Sequence, residues 1–451
     1  MRLMQVSFAR LLAALGLSLW LWGLSPTVLH AVPQAAMLRQ STVFDCSQVG
    51  EIPAAECRAL VALYTNAGGP QWTNQTGWQS TLTPCSWFGV ICAGGHVTEL
   101  RLPANHLNGS VPTQIEDLTL LRVLDLTNNQ LISLAPRVGK LANLQTLAVG
   151  GNQLTTVSSK LGQLLNLQVL DLSFNQLTRV PGEFSNLLNL QVLNLNNNQL
   201  SELPAELGNL LQLQRLGLQN NQLHAIPTEL ANLTQLRWLR LSNNALTQVP
   251  AELGHVKALE ELFLDANQLQ SLPPELGDLK NLHGLYLANN PVLSGPLPAT
   301  LTNIQQLAVF WFDNTKLCEP GNAKFQSWLN AIPNLKRTGV ICRYTYTASF
   351  WLTTPGQTFT VVGSAFTPNQ TLTLVLNQFT LGSVQTNGDG GWAANLTTTQ
   401  ATPGFYVLAV TDQSEKAQLL LQTAPIAGSP TFDIPGGLGL TQFAWLPFSQ
   451  K

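Results

Sequence analysis

The sequence predicts an α/β solenoid with disulfide-stapled ends, followed by an all-β module. Three observations predict it. An asparagine recurs nine times at near-constant spacing between residues 105 and 290. Six cysteines fall as close pairs at the two ends of a centre that has none. From about Tyr344 the apolar period becomes two, the period of strands whose side chains alternate between faces.

At the N-terminus, Arg2 and Arg10 stand in a first ten residues without an acid. Leu11–Leu24 is apolar, and small residues follow at Ala31, Ala35 and Ala36. That order is the n-region, h-region and cleavage zone of an export signal, expected over residues 1–31. The apolar run of about 14 residues is shorter than the roughly 20 that a bilayer requires, which argues against an uncleaved anchor. Without the signal, 20 basic side chains stand against 24 acidic ones. That balance excludes bulk attraction to nucleic acid or to an anionic membrane. An oxidising compartment pairs cysteines. Six allow 15 pairings, and sequence proximity leads us to expect Cys46–Cys57, Cys85–Cys92 and Cys318–Cys342. Zinc is set aside because CxxC spacing with His partners is absent.

The centre is built from one unit. "LDLTNNQL" at Leu124–Leu131 returns as "LDLSFNQL", "LNLNNNQL", "LGLQNNQL", "LRLSNNAL" and "LFLDANQL". The sixth-place Asn falls at Asn105, Asn129, Asn152, Asn175, Asn198, Asn221, Asn244, Asn267 and Asn290, and Thr315 takes that place in a tenth unit. In LxL both leucines face one way, and one unit cannot bury its leucine face alone. Stacking makes a continuous core behind a parallel sheet. The Asn turns inward, where its amide can serve backbone groups of neighbouring turns. The second half of each unit, "LPxELGNLxxL", carries Pro and Gly and predicts a short helical or 3₁₀ convex side. The pattern resembles the leucine-rich repeat, and ten units are expected over residues 99–317. "LNGSVP" at Leu107–Pro112 and "LSGPLP" at Leu293–Pro298 resemble its plant-type form, LxGxxP.

An open solenoid needs caps. Residues 45–98 begin with an amphipathic helical stretch and continue rich in tryptophan. They resemble the plant-type N-terminal cap of extracellular leucine-rich-repeat proteins, with Trp72, Trp78 and Trp87 expected to pack against the first repeat. Residues 318–343 predict a C-terminal cap whose helix, Lys324–Ile332, turns Phe325, Trp328 and Leu329 inward. In residues 344–423, "SFWLTT", "TFTVVGSAF", "TLTLVLNQF", "GWAANLTTT", "GFYVLAVTD" and "AQLLLQT" read as short strands. This stretch resembles the Ig-like β-sandwich modules of bacterial secreted proteins, chiefly through Gly363–Asn377. Residues 424–451 read as a flexible tail.

Catalytic signatures such as GxSxG, HExxH, Walker A and GxGxxG are absent. His96, His106, His224, His255 and His283 are dispersed and read as loop or convex-side positions. Asp125 and Asp171 stand two repeats apart, about 10 Å at strand spacing, a separation that suits glycosidic chemistry. An open face, however, lacks the shielding that a general acid requires. "NGDGG", with one carboxylate, reads as a hairpin turn rather than a calcium loop. Asn74, Asn108, Asn232, Asn369 and Asn395 lie in N-x-S/T sequons.

Alternation maps the concave face. The residue before the central leucine reads Arg215, Trp238, Glu261, Gly284 and Val309 in the last units, and the residue after it reads Gly217, Arg240, Phe263, Tyr286 and Trp311. A third row carries Asp265 and Asp313. The face's aromatics thus gather in its last four units among Arg215, Arg240, Glu261 and Asp265, the composition of an interface centre. Neighbouring rings can also stack purely as structure, and Trp311 can lean on the cap. The resemblance implies an extracellular recognition protein that binds a protein or peptide on the concave face, and the alternation points to Trp238, Arg240, Phe263, Tyr286, Trp311, Arg215, Glu261 and Asp265 as its contacts. A monomer without enzyme activity or cofactor is expected. A structural or adhesive spacer and a glycan-binding face are the alternatives.

Overall fold

A computed structural model describes residues 44–342 without a break. Beyond them it describes 344–352, 358–364, 366, 370–376, 379–387, 392–397, 404–412, 418–422 and 431–433. The expected export signal lies outside the described residues. One sheet of 12 strands runs from Val90–Ala93 to Asn334–Lys336. Its first pair is antiparallel, and the pairs that follow are parallel. The first repeat strand is His96–Arg101, and each later one is three residues long with a buried centre. Leu124, Leu147, Leu170, Leu193, Leu216, Leu239, Leu262 and Leu285 lie in register and are excluded from solvent.

The asparagines form a hydrogen-bonded ladder under the sheet edge. Asn175 is representative. Its Nδ2 donates to Leu172 O and Val149 O, both at 3.1 Å, and its Oδ1 accepts from Leu154 N at 2.9 Å. Each amide therefore satisfies backbone groups of its own turn and of the turn before it, which burial would otherwise leave unpaired. The residue before each ladder Asn takes a left-handed conformation, with φ between 50° and 69° at Ala104, Asn128, Gly151, Phe174, Asn197, Asn220, Asn243, Ala266 and Asn289. Asn tolerates that region best among non-glycine residues, which accounts for the frequent Asn-Asn pairs.

On the convex side each unit forms a five-residue 3₁₀ helix such as Ala205–Asn209, entered from an extended Pro204. Glycine in the "LG" of these helices permits close stacking. A Cβ on Gly162 would stand 2.2 Å from Glu183 O, and one on Gly208 would stand 2.4 Å from Glu229 O. The two LxGxxP units differ locally, since each contributes to a small two-stranded parallel sheet. Asn108–Val111 pairs with Gln130–Leu134, and Ser294–Pro296 pairs with Lys316–Cys318. Gly109 and Gly295 supply the positive φ there.

Both caps combine a disulfide with a buried glutamate. Cys46–Cys57 and Cys85–Cys92 close the first cap, and Cys318–Cys342 closes the second. In the first, Glu56 on the helix Ala54–Asn66 accepts from Val97 N at 2.8 Å and meets His96 Nδ1 at 2.6 Å. His96 is therefore a cap-to-sheet tie, not the loop or convex position expected. Trp72, Trp78 and Trp87 are buried, and their rings contact one another and Tyr64. At the seam to the first repeat, the cap helix with its buried Leu60 and Leu63 packs against Thr113–Asp117 and Asn108–Val111, and Asn105 bonds the backbone of Thr73 and Asn74. In the second cap, Glu319 accepts from Gly339 N at 3.0 Å and from Arg337 at 3.4 Å. The helix Ala323–Asn330 buries Phe325 and Leu329, while Trp328 Nε1 donates to Ile304 O at 3.1 Å.

Beyond the second cap, the described residues form eight strands in two four-stranded sheets. One is ordered Tyr344–Leu352, Gly404–Asp412, Thr371–Leu376 and Phe379–Gln385. The other is ordered Gln418–Gln422, Thr358–Ser364, Trp392–Thr397 and Thr431–Asp433. Residues of both sheets share one apolar cluster, including Val361, Leu374, Trp392, Leu396 and Leu408. Two expectations are corrected. Phe379–Gln385 and Trp392–Thr397 belong to different sheets and so are not the two arms of a hairpin, and residues 388–391 of "NGDGG" lie outside the described residues. Within the stretch read as a flexible tail, Thr431–Asp433 is a strand paired in parallel with Trp392–Thr397. Its short apolar centre, Phe432, gave too little periodicity to mark it.

Candidate binding surface on the concave face

The surface follows from register. Because the strands pair in parallel with their central leucines aligned, flanking residues line up across the sheet. One row runs Arg215, Trp238, Glu261, Gly284, Val309, Asn334. The next runs Gly217, Arg240, Phe263, Tyr286, Trp311, Lys336. These side chains point away from the leucine core, so the scaffold places no demand on their type.

The second row is a stack. Phe263 and Tyr286 lie face to face with centroids 4.3 Å apart and planes within 6°. Trp311 meets Tyr286 edge-on at 5.0 Å. The Arg240 guanidinium lies 5.4 Å from the Phe263 ring centre, and Lys336 Nζ lies 3.6 Å from that of Trp311. Three rings are thus closed by a cation at each end. Each ring contact is worth about 0.5–1.5 kcal/mol, and each cation contact about 0.5–1 kcal/mol at an exposed site. In the first row Trp238 carries two guanidiniums, Arg215 at 4.3 Å and Arg237 at 5.0 Å. Arg237 is also ion-paired with Glu260. Trp311 leans on the cap as well, its Nε1 donating to Asn334 Oδ1 at 3.1 Å.

Carboxylates flank the stack. Glu261 folds over Gly284, where a Cβ would stand 2.0 Å from its Oε2. That oxygen is buried and accepts no hydrogen bond. Burial raises the Glu261 carboxyl pKa, opposed by the Tyr286 hydroxyl and by the positive charge of Arg240. Burial, and then the Glu261 charge, raise that of Tyr286. Asp265 accepts from Ser242 Oγ at 2.6 Å, whereas Asp313 Oδ1 is buried without a hydrogen bond. The earlier half of the face is different. Asp125 accepts from Thr127 and Asp171 from Ser173, each through backbone and hydroxyl, so both serve as turn acceptors. Among the described residues no cluster of His, Cys, Asp and Glu could hold a metal ion.

Sequence reasoning located Arg215, Trp238, Arg240, Glu261, Phe263, Asp265, Tyr286 and Trp311 on adjacent strands, and missed Lys336 and Arg237. Lys336 lies on a strand inside the cap. Its only signal was Leu335, set 25 residues after Phe310, the same step that separates Asn290 from Thr315. Arg237 precedes the outward positions and reaches Trp238 from the strand's end.

Residues 224–343 match the family described as leucine-rich repeat region, and residues 142–200 and 189–246 match leucine rich repeat. The chain carries a leucine-rich repeat region. Its repeats are similar to those of a probable inactive receptor kinase of Arabidopsis thaliana, RLK902, at 40% identity over 90 residues, covering 20% of this chain and 13% of that protein. The chain thus meets only a small part of that relative's length. Among solved structures, the Arabidopsis receptor kinase HAESA, in complex with the peptide hormone IDA and the co-receptor SERK1, superposes with a TM-score of 0.52. The identity is 31%, over 58% of this chain and 46% of that one. A plant ice-binding protein gives 0.53 at 27% identity, over 64% of this chain and 97% of that one. Similarity of the repeats to those receptor proteins, together with the disulfides of both caps, points to an extracellular region. No helix among the described residues is long and apolar enough to cross a membrane.

Proposed function

We propose that the protein is a secreted or cell-surface recognition module that binds an extended peptide segment on the concave face, over the strands from Arg215 to Lys336. The supporting observation is the cation-closed stack Arg240–Phe263–Tyr286–Trp311–Lys336 beside Trp238. It is a rigid apolar ridge with polar groups on both sides, the composition of an interface centre. HAESA, whose structure holds a peptide hormone, supports the same reading. The stack argues against the glycan alternative. A sugar needs a free ring face, and here Phe263 and Tyr286 cover each other while cations lie over Phe263, Trp311 and Trp238. The two C-terminal sheets fit an Ig-like sandwich that displays or spaces the repeats, and residues 1–31 fit a cleaved export signal.

The test is a displayed random-peptide library selected on the whole protein, followed by calorimetric titration of the enriched peptides. Substituting Trp238, Phe263 and Tyr286 together by Ala is expected to weaken binding at least a hundredfold, with a lowered melting temperature from the lost ring and cation contacts but a circular-dichroism spectrum at the assay temperature that is still that of the folded protein. Enriched peptides that bind this variant as tightly as the native protein contradict the reading.

A further inference from the structure

Phe174 is the exception in the left-handed column before the ladder. Its φ of 51° lies in a region that favours Asn and Gly, and its ring is 62% exposed. Among the described residues no other ring and no cation touches it. A strained backbone that holds a ring in water adds nothing to the free fold, and such outliers cluster at ligand sites. The unit before Phe174 is cut away. Its outward residues are Thr146, Ala148, Gly150 and Gly151, between Asp125, Thr127 and Asn128 on one side and Asp171, Ser173 and Phe174 on the other. Ala148 pairs with both Asp125 and Asp171, so the two carboxylates flank one strand at about 10 Å, two strand spacings. Neighbours lean over the glycine floor. A Cβ on Gly150 would stand 2.9 Å from Ser173 Oγ and 3.1 Å from both Asp171 oxygens, and one on Gly151 would stand 2.3 Å from Asn128 Oδ1. Larger residues would close the slot. Each carboxylate is fixed through Oδ1 alone, by the backbone and hydroxyl of Thr127 or of Ser173. Its Oδ2 takes no donor among the described residues.

We propose that this slot is a second binding site and that it takes one ring of a neutral saccharide. A sugar ring has an apolar C–H face and a rim of hydroxyl donors, and the slot offers the complement of both. Phe174 supplies the free ring face that Phe263 and Tyr286 deny each other. Oδ2 of Asp125 and Oδ2 of Asp171 supply acceptors at opposite sides, held in place before the ligand arrives. The Asn128 amide adds a donor and an acceptor beside Phe174. Few polar groups converging beside an apolar wall is the make-up of a small-ligand site. Acidic sugars are excluded by charge, because Arg101, the cation on the adjoining strand, is ion-paired with Glu99. The strand Val192–Asn194 separates the slot from Arg215, where the peptide surface begins.

Saturation-transfer NMR and calorimetric titration of the full chain test this. The probes are neutral hexasaccharides of glucose, mannose, galactose and N-acetylglucosamine, with hexagalacturonate and hexaglucosamine as charged controls. At least one neutral probe is expected to bind with a Kd of about 1 mM or tighter. Phe174→Asn restores the residue type usual at that place, so it keeps the fold and is expected to weaken binding about tenfold. Asp171→Asn, which keeps an oxygen for Ser173, is expected to weaken it severalfold. The variant with Trp238, Phe263 and Tyr286 replaced by Ala is expected to bind the same probe as the native protein does. The proposal is overturned if no neutral probe binds at about 10 mM, if a charged control binds more tightly, or if affinity survives Phe174→Asn. Library-selected peptides that lose affinity with Phe174→Asn would give the slot to a peptide and overturn it too.

Discussion

Glu261 is held where its charge is costly. Its Oε2 is buried over Gly284 without a donor, and burial raises its carboxyl pKa. A carboxyl raised on folding binds more protons in the native than in the unfolded state. Its contribution to stability is present in full below the unfolded value and is lost as pH rises through the folded one. Glu261→Gln is therefore expected to raise the melting temperature at pH 7 and to change it little near pH 4. Thermal denaturation across that range checks the sign, and a larger gain at the acidic end contradicts it. Phe174 is strained for a different reason. It adopts φ 51° and is 62% exposed, where six other units place Asn. Phe174→Asn loses little packing and relieves backbone strain, so it is expected to stabilise the fold by about 1 kcal/mol, read by urea denaturation.

At the scale of elements, the asparagine ladder and the convex glycines set the tolerance of each unit. Asn175→Ala leaves Leu154 N and two carbonyls without their donor or acceptor. At about 1–3 kcal/mol for each buried unsatisfied group, the expected loss is about 3 kcal/mol or more. The glycines divide by what a Cβ would meet. At Gly208 it strikes the Glu229 backbone at 2.4 Å, and at Gly182 it reaches only the Glu206 side chain at 3.7 Å. Gly208→Ala is expected to cost about 1–3 kcal/mol, and Gly182→Ala to stay within about 0.5 kcal/mol. Equal losses at the two positions would contradict the close-approach argument. The ladder and the strands were legible because period and residue type agree in every unit. The row order of Trp238, Phe263, Tyr286 and Trp311 was legible for the same reason, since side-chain alternation converts spacing into position. Whether the rings would present faces or edges was not, because that depends on rotamers. Lys336 lay hidden in a cap where the repeat pattern has decayed to a single leucine. His96 was misread because its partner, Glu56, stands 40 residues earlier in a helix.

At the scale of the molecule, the repeats touch only their neighbours, so the ends govern fraying. Cys318–Cys342 closes the loop that contains the strand Asn334–Lys336, which carries the closing cation of the stack. Replacing both cysteines by Ser is expected to cost about 2–4 kcal/mol. Amide exchange should then rise first in the last repeats, while the earlier repeats keep their protection. The same tie links stability to recognition, because loss of the cap strand opens one end of the stack. The most direct test of the binding claim is hydroxyl-radical footprinting of the native protein with and without a library-selected peptide. Trp238, Phe263 and Tyr286 are expected to lose reactivity on binding, while the exposed Phe174 and Leu188 do not change. Protection of Phe174 or Leu188, with the three ring residues unaltered, would contradict it.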